Sequence, residues 1–78
     1  MNDRMQNAGW FTFEIDQDMN RRGYGEVGQW VVLDQGNEVP EEMMGMGPWS
    51  TDRDADGAAD KVLERMIEAR NAEEQAQN

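Results

Sequence analysis

The spacing of apolar residues changes character near Ser50, and that change decides most of what this chain can fold into. Upstream, Gly9–Asp16 (GWFTFEID) alternates: Phe11, Phe13 and Ile15 fall on one side, and Trp10, Thr12, Glu14 and Asp16 on the other. Period two in a run of aromatic and β-branched residues predicts a half-buried strand. Downstream, Ala55, Ala58, Ala59, Val62, Leu63, Met66 and Ile67 recur at three- and four-residue intervals. That is the apolar stripe of an amphipathic helix. Ser50, Thr51 or Asp52 can cap it, and the stripe predicts a helix from about residue 54 to about residue 72. Strands first and one helix last read as an α+β fold.

Tyr24–Leu33 (YGEVGQWVVL) is the second strand candidate, with Val27, Gln29, Val31 and Leu33 on one face and Gly28, Trp30 and Val32 on the other. Gly25 and Gly28 weaken it or mark a bulge. The polar stretch Gln17–Gly23 reads as a loop, and Asp34-Gln35-Gly36-Asn37 as a turn. Glu38 and Val39 begin a third short strand that Pro40 stops or moves to an edge. Pro40–Met44 alternatively forms one helical turn, with proline first and acids after it. The expected architecture is a small antiparallel sheet of two or three strands packed by one C-terminal helix. Residues 1–8 read as a flexible tail, 9–72 as a single domain, and 73–78 as a frayed tail, because no apolar anchor follows Ala69. Both faces of the second strand carry large apolar groups, and one helix covers one face. Trp10, Trp30 and Val32 therefore need another cover, either the Met43–Trp49 segment or a second subunit.

A chain of 78 residues makes one domain and buries only roughly 60% of its surface on folding. With no cysteine there is no disulfide to help. The core must come from the large residues of the two strands, with Tyr24, Val27 and Trp49, and from Val62, Leu63, Met66 and Ile67. No apolar run reaches the roughly 20 residues of a bilayer span. Met1–Ala8 lacks the apolar stretch of a signal peptide. A cytoplasmic protein with no membrane contact is the expectation.

Seventeen acidic residues oppose seven basic ones, with no histidine, for a formal net charge of -10 and a pI of about 4.1. Such a field repels nucleic acid and membranes and attracts basic surfaces. Without His and Cys, acid–base work falls to carboxylates, Tyr24 or Lys61, and so small a domain seldom offers a deep cleft. The chain reads as a non-enzyme with no cofactor and no metal. Arg21-Arg22 beside Tyr24 is the only basic pair, too little against that net charge to bind RNA. The glycines around it show no phosphate-binding pattern.

Three constellations stand out. Asp52-x-Asp54-x-Asp56-Gly57, with Asp60 three residues on, resembles the start of an EF-hand or dockerin calcium loop. The match breaks at the twelfth position, Leu63, where a bidentate Glu belongs. The other reading is an acid-rich helix N-terminus, which the macrodipole favours. Second, Asp56, Asp60, Glu64 and Glu68 recur every four residues. On a helix they stand about 6 Å apart along a ridge that drifts by about 40° per step. Lys61 and Arg65 lie beside it and relieve part of the repulsion. The excess charge is skewed: residues 34–78 hold twelve acids and four bases, a net of -8, and residues 1–33 five acids and three bases, a net of -2. Third, Met43-Met44-Gly45-Met46-Gly47-Pro48-Trp49 covers the open sheet face or offers an adaptable binding edge.

Size, acidity, the absence of Cys and His and the sheet-plus-helix plan together resemble the small phage-encoded anti-CRISPR and anti-restriction proteins that mimic DNA. The residues that carry the likeness are the Asp52/Asp54/Asp56/Asp60/Glu64/Glu68 series, Glu38/Glu41/Glu42 and the helix Ala58–Ile67. The resemblance implies a non-enzymatic inhibitor that occupies a basic nucleic-acid-binding surface, such as a CRISPR effector or a restriction enzyme, in the host bacterial cytoplasm. Glu41, Glu42, Asp52, Asp54, Asp56, Asp60, Glu64 and Glu68 would then be phosphate surrogates, with Met44, Met46 or Trp49 as apolar anchors. The alternative is an acidic adaptor or assembly protein acting through a Trp/Met surface, as a homodimer or docked on another protein.

Overall fold

The structure, a computed structural model, describes residues 3–76; the outer ends of the two expected tails, residues 1–2 and 77–78, lie outside the described residues. Strands β1 (Trp10–Glu14) and β2 (Trp30–Asp34) pair antiparallel, with Trp10 opposite Asp34 and Glu14 opposite Trp30. Paired residues share a face, so Trp10, Thr12, Val32 and Trp30 look one way and Phe11, Phe13, Val31 and Leu33 the other. The long C-terminal helix, here α3 (Asp52–Ala76), lies across the first of these faces. Its Ala55, Ala59, Val62 and Leu63 form one buried cluster with Trp10, Val32, Met5 and Met43. The face expected to need a second cover is thus the one the helix takes. The small Ala55 and Ala59 let the helix come close enough to enclose the indole of Trp10, which is 4% exposed.

The opposite face is closed by the chain between the strands. Ile15, Val31 and Leu33 are buried there, with Met19, Tyr24 and Val39 against them. Where a loop is expected, α2 (Gln17–Arg21) forms, because the Asp16 side chain accepts the Met19 N–H at 2.9 Å and caps it. The second strand starts at Trp30 instead of Tyr24. Gly25 takes φ of 150° and a Cβ there would lie 2.7 Å from Pro48 and 2.9 Å from Ile15. The chain therefore turns at Gly25, where only glycine fits, and does not extend. The third strand expected at Glu38 and Val39 reduces to one isolated bridge, Asp34 with Glu38, and a separate bridge joins Trp30 with Trp49. Pro40 precedes a single 3-10 turn, Glu41–Met43, whose Met43 is buried.

Two departures shape the molecule's ends. Residues Asp3–Ala8, expected as a tail, form helix α1 and insert Met5 fully into the core. Helix α3 begins where the side chain of Thr51 accepts the Asp54 N–H at 3.1 Å. Its 25 residues make a rod of about 37 Å, yet Leu63 is its last buried residue. Met66 and Ile67, expected in the core, are 38% and 43% exposed. The molecule measures 50 × 20 × 18 Å, with a radius of gyration of 13.9 Å, against about 11.5 Å for a compact chain of this length. The excess is the C-terminal half of α3, which projects past the body and stays helical through residues 73–76, where fraying is expected.

Candidate functional site

None of the seventeen acidic residues is fully buried, and most of the negative charge is at the surface. The structure sorts the eight expected phosphate surrogates into four pairs. Glu41 and Glu42 are exposed on the 3-10 turn, which Met43 pins against α3. Asp52 and Asp54 are exposed on the first turn of α3, where unpaired N–H groups favour acids. Glu64 and Glu68 are exposed on the projecting half.

Asp56 and Asp60 differ. Both are half-buried on the side of α3 that meets the body. Asp60 receives the guanidinium of Arg4, with Nε–Oδ1 at 3.2 Å and Nη2–Oδ2 at 3.5 Å. That pair ties α1 to α3, so Asp60 serves the fold. Asp56 borders a depression of about 290 Å³ with Thr12, Asp52 and Arg53. The four-residue series is therefore no continuous exposed ridge. Its drift of about 40° per step starts it against the body and ends it facing solvent.

The calcium reading does not survive the geometry. Asp52, Asp54 and Asp56 lie in continuous helix, not in a loop. Successive helical positions turn by about 100°, so Asp54 points away from the side that Asp52 and Asp56 share. Among the described residues no group of three or more His, Cys, Asp or Glu could hold a metal ion.

The apolar anchors also divide. Met44 is 67% exposed and Met46 43%. Trp49 is half-buried and held in place: its N–H donates to the Trp30 carbonyl at 2.9 Å and its carbonyl accepts from the Trp30 N–H at 2.7 Å. Its ring lies so close over Gly47 that a Cβ there would be 2.5 Å away. With Trp10 enclosed and Trp30 packed on the core under α3, the uncovered tryptophan face of the adaptor reading does not exist. What remains for it is the half-buried Trp49 with the exposed methionines. Of the basic pair, Arg22 stands 4.0 Å from Asp18 and 5.6 Å above the Tyr24 ring. Tyr24 in turn donates to the Asn37 carbonyl at 2.8 Å.

The cations of α3 are the feature that the sequence reading undervalues. Lys61 and Arg65 are expected to relieve part of the repulsion along the acidic ridge, yet among the described residues neither makes an ion pair, and nor does Arg53. They line a groove of about 400 Å³ with Met46 and Trp49. Their spacing was the available signal: Arg53, Gly57, Lys61 and Arg65 recur every four residues, one position behind the acids. A second groove, about 540 Å³, runs between α1 and α3 over Ala8, Leu63, Met66 and Ile67, with Arg4 and Arg70 at its sides.

The charge excess concentrates in one stretch. Residues 34–60 hold eight acids and one base, Arg53, a net of -7. Carboxylates so presented accept paired hydrogen bonds from guanidinium groups. No protein-family model, curated protein or solved structure matches the chain. Among the described residues no helix is long and apolar enough to cross a membrane.

Proposed function

We propose that this protein is a non-enzymatic inhibitor of the anti-CRISPR or anti-restriction kind, which fills a cationic nucleic-acid groove of a bacterial defence complex and keeps DNA out. It acts in the cytoplasm of the host cell, where such complexes meet DNA. The observation that carries the reading is the stretch 34–60, with eight acids to one base and no acid fully buried. Glu41, Glu42, Asp52 and Asp54 are its exposed centre, and Glu64 and Glu68 extend it along α3. A surplus of this density draws a groove of Arg and Lys quickly and loses hold as salt screens it.

The test is competition. Purified CRISPR effectors and restriction enzymes are incubated with labelled target DNA and increasing amounts of this protein, between about 0.05 and 0.3 M salt. The expected result is displacement of DNA from one of them, steeply weaker at the higher salt. The quadruple change Glu41→Gln, Glu42→Gln, Asp52→Asn, Asp54→Asn should weaken displacement at least about tenfold, equal to about 1.4 kcal/mol, while the circular dichroism spectrum stays native. Inhibition that ignores salt, or that survives the quadruple change intact, sinks the reading.

A further inference from the structure

A chain with a net charge of -10 has reason to pair its few cations, yet among the described residues Arg53, Lys61 and Arg65 stand without ion pairs on one side of α3. They border the groove whose other wall is Met46 and Trp49 and whose floor is Ala58 and Val62. Asp54 is the single acid on its rim, toward the N-terminal end; Lys61 and Arg65 hold the other end. The groove is thus apolar along one side and cationic at one end.

Gly57 is a second, independent observation. A glycine inside a helix lowers stability relative to alanine, because it has more backbone freedom to lose. Tight packing commonly explains such a residue, but a Cβ built at Gly57 meets no atom within 4 Å. Among the described residues nothing beyond the helix's own backbone occupies the space that its missing side chain leaves. That space opens into the groove between Arg53 and Lys61.

We infer that this groove is a binding site for a short acidic peptide segment of a partner protein, with an apolar side chain seated against Trp49 and Met46 and carboxylates on Lys61 and Arg65. Charge complementarity selects the anion, and the indole and the thioether select the apolar anchor. A nucleic-acid strand fits less well. It carries a charge about every 3.4 Å, and the cations span only about 18 Å of helix. A longer polyanion would run onto Asp54 at one end and toward Glu64 and Glu68 at the other. A peptide can space two carboxylates to meet two cations and remain neutral elsewhere. The site goes beyond the proposed carboxylate function and does not rest on it.

The test uses the full chain, isotopically labelled, and a synthetic heptapeptide with two glutamates to one side of a phenylalanine and neutral residues elsewhere. Controls are the same peptide with Gln for Glu, and a short oligo-dT strand. The expected result is a saturable shift of the Trp49 indole N–H and of the Gly57, Lys61 and Arg65 amides by the acidic peptide. Lys61→Gln with Arg65→Gln should weaken it at least about tenfold. Gly57→Leu should also weaken it at least about tenfold while the melting temperature stays at or above that of the wild type, because open space surrounds the site. Four results would overturn the inference: equal binding of the Gln peptide, tighter binding of oligo-dT at the same residues, shifts confined to Met66 and Ile67, or undiminished binding by Gly57→Leu. No cationic partner is present in this titration, so its failure leaves the DNA-displacement reading standing.

Discussion

Single side chains decide how the two layers meet, and the least expected of them is Met5. It has no solvent exposure and sits among Trp10, Val32 and Leu63. Met5→Ala should therefore cost about 2–5 kcal/mol in urea unfolding, a loss that no flexible tail would produce. Gly57 makes the opposite prediction. With open space around it, Gly57→Ala should stabilise by about 0.5–1 kcal/mol through helix propensity alone, read as a higher midpoint at unchanged slope. Met5 was invisible in the sequence for a physical reason. One methionine among polar neighbours has no period, and its burial depends on α1 docking against a helix some fifty residues away. The reverse error befell Phe13 and Val27, 36% and 59% exposed: alternation reports the side of a strand and not whether anything covers it, and Val27 lies in the turn before β2 and not in the strand.

Among the elements, α3 is two helices in energetic terms. Its first half, from Asp52 to Leu63, is capped by Thr51 and packed on the sheet. Among the described residues its second half has no buried side chain, and an isolated helix of about a dozen residues is marginal in water. Amides from Glu68 onward should exchange with solvent orders of magnitude faster than those of Ala59 to Leu63 in native-state hydrogen exchange. Uniform protection along α3 would show that something else covers the projecting half. Thr51→Ala should lower stability by about 1 kcal/mol. The Arg4–Asp60 pair should yield a coupling of only about 0.2–1 kcal/mol in a double-mutant cycle, since its side chains are 43% and 29% exposed. The existence of α3, its cap and the α+β plan were legible because the stripe from Ala55 to Ile67 and the alternation of Gly9–Asp16 are long signals. Helix α2 and the late start of β2 were not. One rests on a single Asp16 cap, the other on a contact between Gly25 and the distant Pro48. Which sheet face α3 would choose was equally hidden, since Phe11/Phe13 and Trp10/Trp30 offer similar area. The choice turns on how small alanines fit a buried indole.

At the scale of the whole molecule, the same charge has opposite consequences for the fold and for a complex. Net charge of -10 on one small body repels itself, and folding brings those charges closer together. Screening shortens that repulsion to about 10 Å at 0.1 M salt. The ion pairs Arg4–Asp60 and Arg22–Asp18 lose little by comparison, being largely exposed. Raising sodium chloride from about 0.01 to 0.3 M should therefore raise the melting temperature. A complex built from carboxylates in a cationic groove should weaken over the same range. A coat of carboxylates that only confers solubility would share the first trend and lack the second. Calorimetry of the free protein and a binding titration at matched salt concentrations measure both slopes. Opposite signs are the expected outcome. A melting temperature that falls with salt would mean that attraction already outweighs repulsion within the folded chain, leaving no surplus of negative charge for a partner to read.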